Sequence, residues 1–547
     1  MIPGSMATRL PALLPSLAAL VTVGVIGGLV RAGSTAASGR LAPHVDRLAS
    51  TRLLRASLAV ELAEIEAAEF QSQLTLARRG APAARQLTEQ AIAFLKGATG
   101  LLAASGTLAV LHPLLLPLLM ATVVPTTVGA VRCARARFAS MKNRLELTRQ
   151  IDMLSSLMLG EPAAEEIRIH QAADFLLAEY ERLASRAERE QAELAHAQAR
   201  TTLVADTLSG AALVATYSAL ALFVVTGVVP FAVAGAAVFA LRAGTSRLGA
   251  MVASINQMYE SGLLVGEWET ACVKAEAMAA WSGDLPLAAA PEEITARGVT
   301  FTYPGAPRAA LDGVDVAIRR GEIVALVGEN GSGKTTLAKI LTGLYFPDAG
   351  TVSWNGRPIQ LLDRQSLFGQ IALVSQSFMR WPFSARSNIR IGRSEVAAEG
   401  PRFGQAVHAS GADEVVAGLA HGWDSLLAHQ FLGGTQLSGG QWQRMGVGRA
   451  WFRDAAVVVF DEPTAALDPR SEVEVFDQVS ELADDGRLVL LVTHRLASVR
   501  RADRVYVLDA GKVIESGNHE QLMTAGGRYS ELYRLQADQF SVHKEAN

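Results

Sequence analysis

Nine consecutive residues, Gly328-Glu329-Asn330-Gly331-Ser332-Gly333-Lys334-Thr335-Thr336, have the make-up of a loop that wraps a phosphate chain. They satisfy GxxxxGK[ST], and they lie between an apolar run, Ile323 to Val327, and a helix-favouring one, Leu337 to Leu344. That strand-loop-helix setting is what the pattern requires. Glycines let successive backbone N–H groups close around phosphate oxygens, and the helix N-terminus adds its positive end. In such a loop Lys334 would reach the β- and γ-phosphates and Thr335 would ligate Mg²⁺, so ATP and Mg²⁺ are the expected ligands.

A second apolar run, Ala455 to Phe460, ends in Asp461-Glu462-Pro463-Thr464. Asp461 is positioned to hold Mg²⁺ through water, and Glu462 to act as general base toward an attacking water. Two further runs also end in polar residues, Ile371 to Ser375 at Gln376 and Leu488 to Thr493 at His494. Four strands that deliver polar groups at their C-terminal ends describe a mainly parallel α/β sheet, which binds ligands at that edge.

Leu437-Ser438-Gly439-Gly440-Gln441, followed by Trp442-Gln443-Arg444, lies 20 residues before Asp461. This stretch resembles the signature of ATP-binding-cassette (ABC) proteins, and the sequence from about Ile294 to Gln536 is similar to their nucleotide-binding domain, an α/β P-loop NTPase fold. The resemblance implies that Tyr303 stacks on adenine and that Asn330, Gly331, Ser332, Gly333 and Thr336 join Gly328, Lys334 and Thr335 around the nucleotide. It makes Gln376 a further Mg²⁺ ligand and catalytic residue beside Glu462, His494 and Lys334, and it matches Asp468 to the D-loop. It also implies a head-to-tail dimer, in which Ser438, Gly439, Gly440 and Gln441 contact ATP held by the partner's loop. Glycines permit such close approach, and a serine hydroxyl can donate to phosphate. One residue departs from the family pattern. Gln430 stands where exporters commonly carry glutamate, which puts the details of coupling in question.

The elements that must position this chemistry fill only half the chain. At 547 residues it exceeds what one hydrophobic core supports, about 250 to 300 residues. A net charge of -3 argues against a general nucleic-acid binder, while 50% hydrophobic content and a mean hydropathy of +0.23 point to a membrane. The apolar excess is concentrated upstream. Leu10 to Val30 gives 21 residues without formal charge, and Gly97 to Val131 and Thr207 to Leu241 give 35 each. As one straight helix, a 35-residue stretch would run about 52 Å at 1.5 Å per residue, against a hydrocarbon core of roughly 30 Å. Each is therefore expected to be a helical hairpin, turning near His112-Pro113 and near Gly227-Val228-Val229-Pro230. Five spans follow, near 10–30, 93–112, 113–132, 207–227 and 229–250.

Cations flank these spans on one side: Arg31, Arg40, Arg47, Arg52 and Arg55 after the first, Arg132, Arg135, Arg137, Lys142 and Arg144 after the third. The positive-inside bias makes those segments cytoplasmic, and the charged region from 132 to 206 is expected to form long helices projecting there. Cys133 and Cys272 are the only cysteines and have no metal-ligand spacing, so they read as two solitary buried thiols. The Pro- and Gly-bearing stretch 283–293 is the expected linker between a helical transmembrane domain, 1–282, and the ABC nucleotide-binding domain, 294–536, with a tail at 537–547.

The upstream half is similar to the exporter-type membrane domain. Glu166 to Asp174 resembles its second cytoplasmic coupling helix, and Arg79 to Leu87 is the candidate for the first. The resemblance implies six spans with the N-terminus inside, whereas five leave it outside. The expectation is that a first span belongs before Leu10, either lost or encoded after an upstream start codon that was missed. The reading is a half-transporter of a cytoplasmic membrane, exporting an unidentified substrate with energy from ATP. Lys334, Gln376, Ser438, Glu462 and His494 are all intact, so two copies would give two competent sites, and a homodimer is the first expectation over a heterodimer. An exporter-shaped importer or a membrane sensor with the same engine is the alternative. A soluble ATPase clamp on DNA or ribosomes would lack the uncharged spans.

Overall fold

A computed structural model of the chain describes residues 6–111, 115–228, 231–279, 283–287, 289–376, 378–462, 479–495 and 499–542. Two compact units divide it: Met1–Val60 with Glu64–Ala279, and Ala280–Asn547 with Glu61–Ala63.

The first unit is helical: α1 (Met6–Leu58), α2 (Leu62–Glu66), α3 (Ala68–Ala77), α4 (Gly80–Leu111), α5 (Leu115–Asn143), α6 (Leu145–Leu159), α7 (Glu161–Ile169), α8 (Ala173–Val225) and α9 (Phe231–Ala277). Helices α1 and α8 each hold 53 residues, about 80 Å at 1.5 Å per residue. Helix α8 shows why a helix so much longer than a bilayer core forms. Its charged N-terminal half and its apolar C-terminal half are both rich in Ala and Leu, which favour helix, so the change from charged to apolar residues does not end it. Among the described residues it is the helix long and apolar enough to cross a membrane, with a mean hydropathy of 2.0 in its best window, of which 11% is buried within the chain. Stretches 10–30, 93–112, 113–132, 207–227 and 229–250 fall on α1, α4, α5, α8 and α9 as far as they are described. Gly227, at φ +75°, follows the end of α8. Residues 112–114 and 229–230, which hold the expected turns, lie outside the described residues.

Helices α4 and α9 make the unit's most extensive contact. A Cβ on Gly80 would stand 2.2 Å from Cβ of Trp268, so only glycine allows this approach. Around it Ala49, Leu53, Ala77, Ala81 and Cys272 are buried, and Arg52 of α1 donates to both carboxylate oxygens of Glu269 at 2.9 and 3.1 Å. Both cysteines are buried free thiols.

The expectation of a first coupling helix at Arg79 to Leu87 is corrected here. Those residues open α4, where Ala81 and Ala83 are buried, and the turn after α1 lies instead at 59–67, with α2 inside it. The segment Glu166 to Asp174 spans the end of α7, a turn with Gln171 at φ +51°, and the start of α8.

The second unit contains strands β1 (Glu293–Phe301), β2 (Leu311–Arg319), β3 (Ile323–Val327), β4 (Ala349–Trp354), β5 (Arg357–Pro358), β6 (Ile371–Val374), β7 (Val457–Asp461), β8 (Leu488–Val492), β9 (Arg504–Asp509) and β10 (Lys512–Gly517). An antiparallel sheet runs β2-β1-β4-β5, and a second runs β10-β9-β3-β8-β7-β6, parallel throughout except for β10. Every residue of β3, β7 and β8 is buried. Continuous apolar runs are what strands covered on both faces require. Val314, Leu326, Leu337, Trp354 and Leu490 belong to one core cluster that joins the two sheets and the helix Lys334–Leu341. A separate cluster, with Ile389, Phe403, Val415, Trp442 and Phe452, holds four short helices around the helix Gly439–Arg453.

The expected linker is bonded into this unit: Gly283 N–H donates to Leu362 O at 3.0 Å, and Asp363 N–H to Leu285 O at 2.7 Å. At the other end the helix Arg528–Val542 runs straight through the expected boundary at 536 and 537.

Candidate nucleotide site

Strands β3, β8, β7 and β6 are consecutive neighbours in the parallel sheet, so their C-terminal ends form one edge. The phosphate loop follows β3, His494 follows β8, Asp461 ends β7 with Glu462 next to it, and Gln376 follows β6. Residues that are far apart in sequence reach one place because parallel strands share a direction.

The loop is shaped by its glycines. Gly331 and Gly333 take φ +81° and +102°. A Cβ on Gly328 would lie 2.2 Å from Leu508 O, and one on Gly333 would lie 2.7 Å from Ala310 O. Lys334 opens the helix and is buried, with Nζ donating to the loop's own carbonyls, Gly328 O at 2.9 Å and Glu329 O at 2.8 Å. Burial pushes its ammonium below the ordinary lysine value, against the attraction of Glu462 and Asp461. Ser332 Oγ is buried and has no hydrogen-bond partner among the described residues. A desolvated cation and an orphaned hydroxyl inside a cradle that a Cβ would fill fit a bound phosphate chain. Asn330 and Gly331 are exposed at the loop's tip.

Thr335 Oγ1 donates to Asp461 Oδ1 at 3.3 Å. Burial raises the Asp461 carboxyl above the usual carboxylate range, partly offset by that hydrogen bond. A hydroxyl and a carboxylate side by side are the oxygen donors that Mg²⁺ prefers, so this pair fits the ion. Gln376 is placed elsewhere, its Nε2 donating to Glu462 Oε2 at 2.9 Å.

Glu462 has φ +49°, an uncommon backbone for a residue other than glycine, and its N–H is held by Val492 O at 2.8 Å. Strain of this kind gathers where a structure aims a side chain. The carboxylate meets Gln376 on one oxygen and His494 Nδ1 on the other, at 2.9 Å each. Tyr303 packs edge-on to Phe301 and Tyr345, with its hydroxyl 2.9 Å from Thr336 Oγ1. It thus stands beside the loop it is expected to serve.

Ser438, Gly439, Gly440 and Gln441 sit at the start of the helix Gly439–Arg453. Ser438 Oγ accepts from Gln441 N–H at 3.3 Å, and Gln441 Oε1 accepts from Ser438 N–H at 2.9 Å. Ser438 and Gln441 bond each other in this capping box, and neither bonds Glu462, Gln376 or His494. The same helix carries Arg449, which donates to both Asn388 O at 3.0 Å and Asn388 Oδ1 at 3.3 Å; burial pushes its pKa down to about 10. Gln430 is exposed in the loop before Ser438. Pro463, Thr464 and Asp468 lie outside the described residues.

Residues 311–465 match the family model described as ABC transporter. The second unit is an ABC transporter ATPase domain.

The chain is 36% identical over 285 residues to an ATP-dependent lipid A-core flippase of Burkholderia orbicola, covering 52% of this chain and 47% of that one. It is 35% identical over 247 residues to the subtilin transport ATP-binding protein SpaT of Bacillus subtilis, covering 45% and 40%. The matches thus span about half the length of these relatives. The fold likeness extends further. A solved structure of a bacterial Atm1-family ABC exporter with ATP bound superposes with a TM-score of 0.77 at 22% identity, over 98% of this chain and 92% of that one. The chain therefore has the exporter fold, a helical unit followed by the ABC domain.

Sequence patterns missed two residues that touch this site. Arg528 pairs with Glu329 of the phosphate loop, and Gln536 reaches the backbone of His494. Neither belongs to a motif, and each meets its partner only through the fold.

Proposed function

We propose that this chain is one half of a membrane exporter of the cytoplasmic membrane, driven by ATP and working as a dimer, with a homodimer favoured. The observation that carries the reading is the pairing of Glu462 with Gln376 and His494 beside the Thr335–Asp461 pair, in a chain whose other unit has the exporter fold.

In this reading Lys334 leaves the loop carbonyls for the β- and γ-phosphates, and Ser332 and the loop N–H groups close around them. Thr335 and Asp461 would hold Mg²⁺, and Gln376, which here bonds Glu462, would be the further ligand. The ion supplies positive charge to the phosphate oxygens. Glu462 takes a proton from the attacking water, and His494, hydrogen-bonded to one of its carboxylate oxygens, meets the γ-phosphate. Tyr303 offers its ring to adenine. Ser438 to Gln441 of one subunit would complete the site on the partner's loop, so that ATP closes the two domains and hydrolysis reopens them. Five spans carry the substrate path, and the likeness of the fold to a solved ABC exporter supports export as the direction.

The test is phosphate release and uptake by inside-out vesicles carrying the full chain, against a chemically diverse panel. Mg²⁺-dependent ATP hydrolysis and ATP-dependent accumulation of at least one compound are expected. Absence of hydrolysis would refute the site, and accumulation only in right-side-out vesicles would refute the direction.

A further inference from the structure

The C-terminal helix Arg528–Val542 begins inside the core and, at Gln536, meets the residue that follows the buried strand β8. Tyr529 and Ser530 are buried, and Glu515 caps the helix start by accepting from the N–H groups of Arg528 and Tyr529. Arg528 also donates to Glu329 in the phosphate loop. Eight residues on, about 12 Å along the axis, Gln536 Nε2 donates to the backbone carbonyl of His494 at 2.5 Å. One rigid, anchored rod therefore grips both the loop that would hold the phosphates and the residue that orients Glu462.

We infer that Gln536 is a positioning residue for ATP hydrolysis, acting through His494. The inference rests on the reading of Glu462 and His494 as the hydrolytic pair. His494 follows a buried strand, yet its side chain is 47% exposed and is not fixed by packing. The direction in which the ring leaves the chain is set by the backbone at His494, and Gln536 holds the carbonyl of that residue. Without this hydrogen bond the ring can turn from Glu462, while the phosphate loop, held by its own glycines, is unchanged. The loss belongs to turnover and not to nucleotide affinity. Arg528–Glu329 is an exposed pair, screened by solvent, and contributes less.

The experiment compares the full-length protein with Gln536→Met, similar in length but without an N–H donor, and Gln536→Lys, which keeps a donor. Gln536→Met should lower kcat about 10- to 100-fold, the scale of a roughly 1 Å misplacement, with KM for ATP and Tm near those of the unaltered chain. Gln536→Lys should restore much of the rate. In a Glu462→Gln background Gln536→Met should add little, because both act through one pair. Normal turnover in Gln536→Met, equal impairment of both variants, or a change confined to KM would overturn the inference while leaving the site intact. Failure of the unaltered chain to hydrolyse ATP would overturn the reading itself.

Discussion

His494 Nδ1 stands 2.9 Å from the Glu462 carboxylate, at the ends of two strands that are neighbours in one parallel sheet. The register of β7 and β8, Asp461 opposite Val492, brings the residues after them together without any local sequence signal. In the proposed function this carboxylate is the group that takes a proton from the water attacking the γ-phosphate.

Glu462→Gln keeps the shape and the hydrogen bond to Gln376 but cannot accept that proton. Nucleotide binding should persist while phosphate release slows by about 10² to 10⁴. Parallel measurement of ATP affinity and turnover decides it, and turnover at the normal rate would remove Glu462 from the role.

Asp461 carries a stability cost in the nucleotide-free protein. Burial raises its carboxyl above the unfolded value of about 3.9, so the native state binds more protons than the unfolded one in the window above that value. Stability then falls as pH rises through the window, and at neutral pH the buried charge is a burden. Asp461→Asn should therefore raise Tm at neutral pH without ligand, yet gain less than the unaltered chain from Mg-ATP. A lower ligand-free Tm in the variant would contradict this.

Gly328→Ala places a methyl group 2.2 Å from Leu508 O, backbone that cannot step aside. The loop must shift, at a cost of roughly 1 to 3 kcal/mol, and ATP affinity should fall sharply. Equilibrium binding of a fluorescent ATP analogue would show the change; unchanged affinity would mean the loop is looser than its contacts indicate.

Head-to-tail assembly predicts a difference between two kinds of dimer. With Lys334→Ala in one subunit and Ser438→Arg in the other, both lesions fall in one composite site and one ATP per dimer should still bind. With both in the same subunit, each site is damaged and tight binding should vanish. Equal occupancy in the two arrangements would mean that the sites are not shared.

The chemistry was legible because its groups are punctuation on contiguous patterns. An apolar run that ends in Lys334's loop, in Asp461 or in His494 declares both the strand and its terminus. The ABC class followed from Ser438 to Gln441 in the same way, and the family match and the fold likeness agree with it. What escaped reading depends on distant packing. Arg79 to Leu87 read as the first coupling helix, but Gly80 fits against Trp268, a contact no local window contains. The helix holding Gln536 continues to Val542 because Tyr529 anchors it in the core, although the sequence there reads as a polar tail.

The capping box at Ser438 bears on how fast a second subunit could engage. A hydroxyl has two lone pairs and one proton, and the cap uses only a lone pair, accepting from Gln441 N–H. The proton stays free to point outward. Docking against a phosphate would therefore ask nothing of the helix: no cap is broken, no turn frays, and the serine arrives already frozen in its rotamer. Cooperative closure of two such faces would begin from a surface whose ordering was completed when the chain folded.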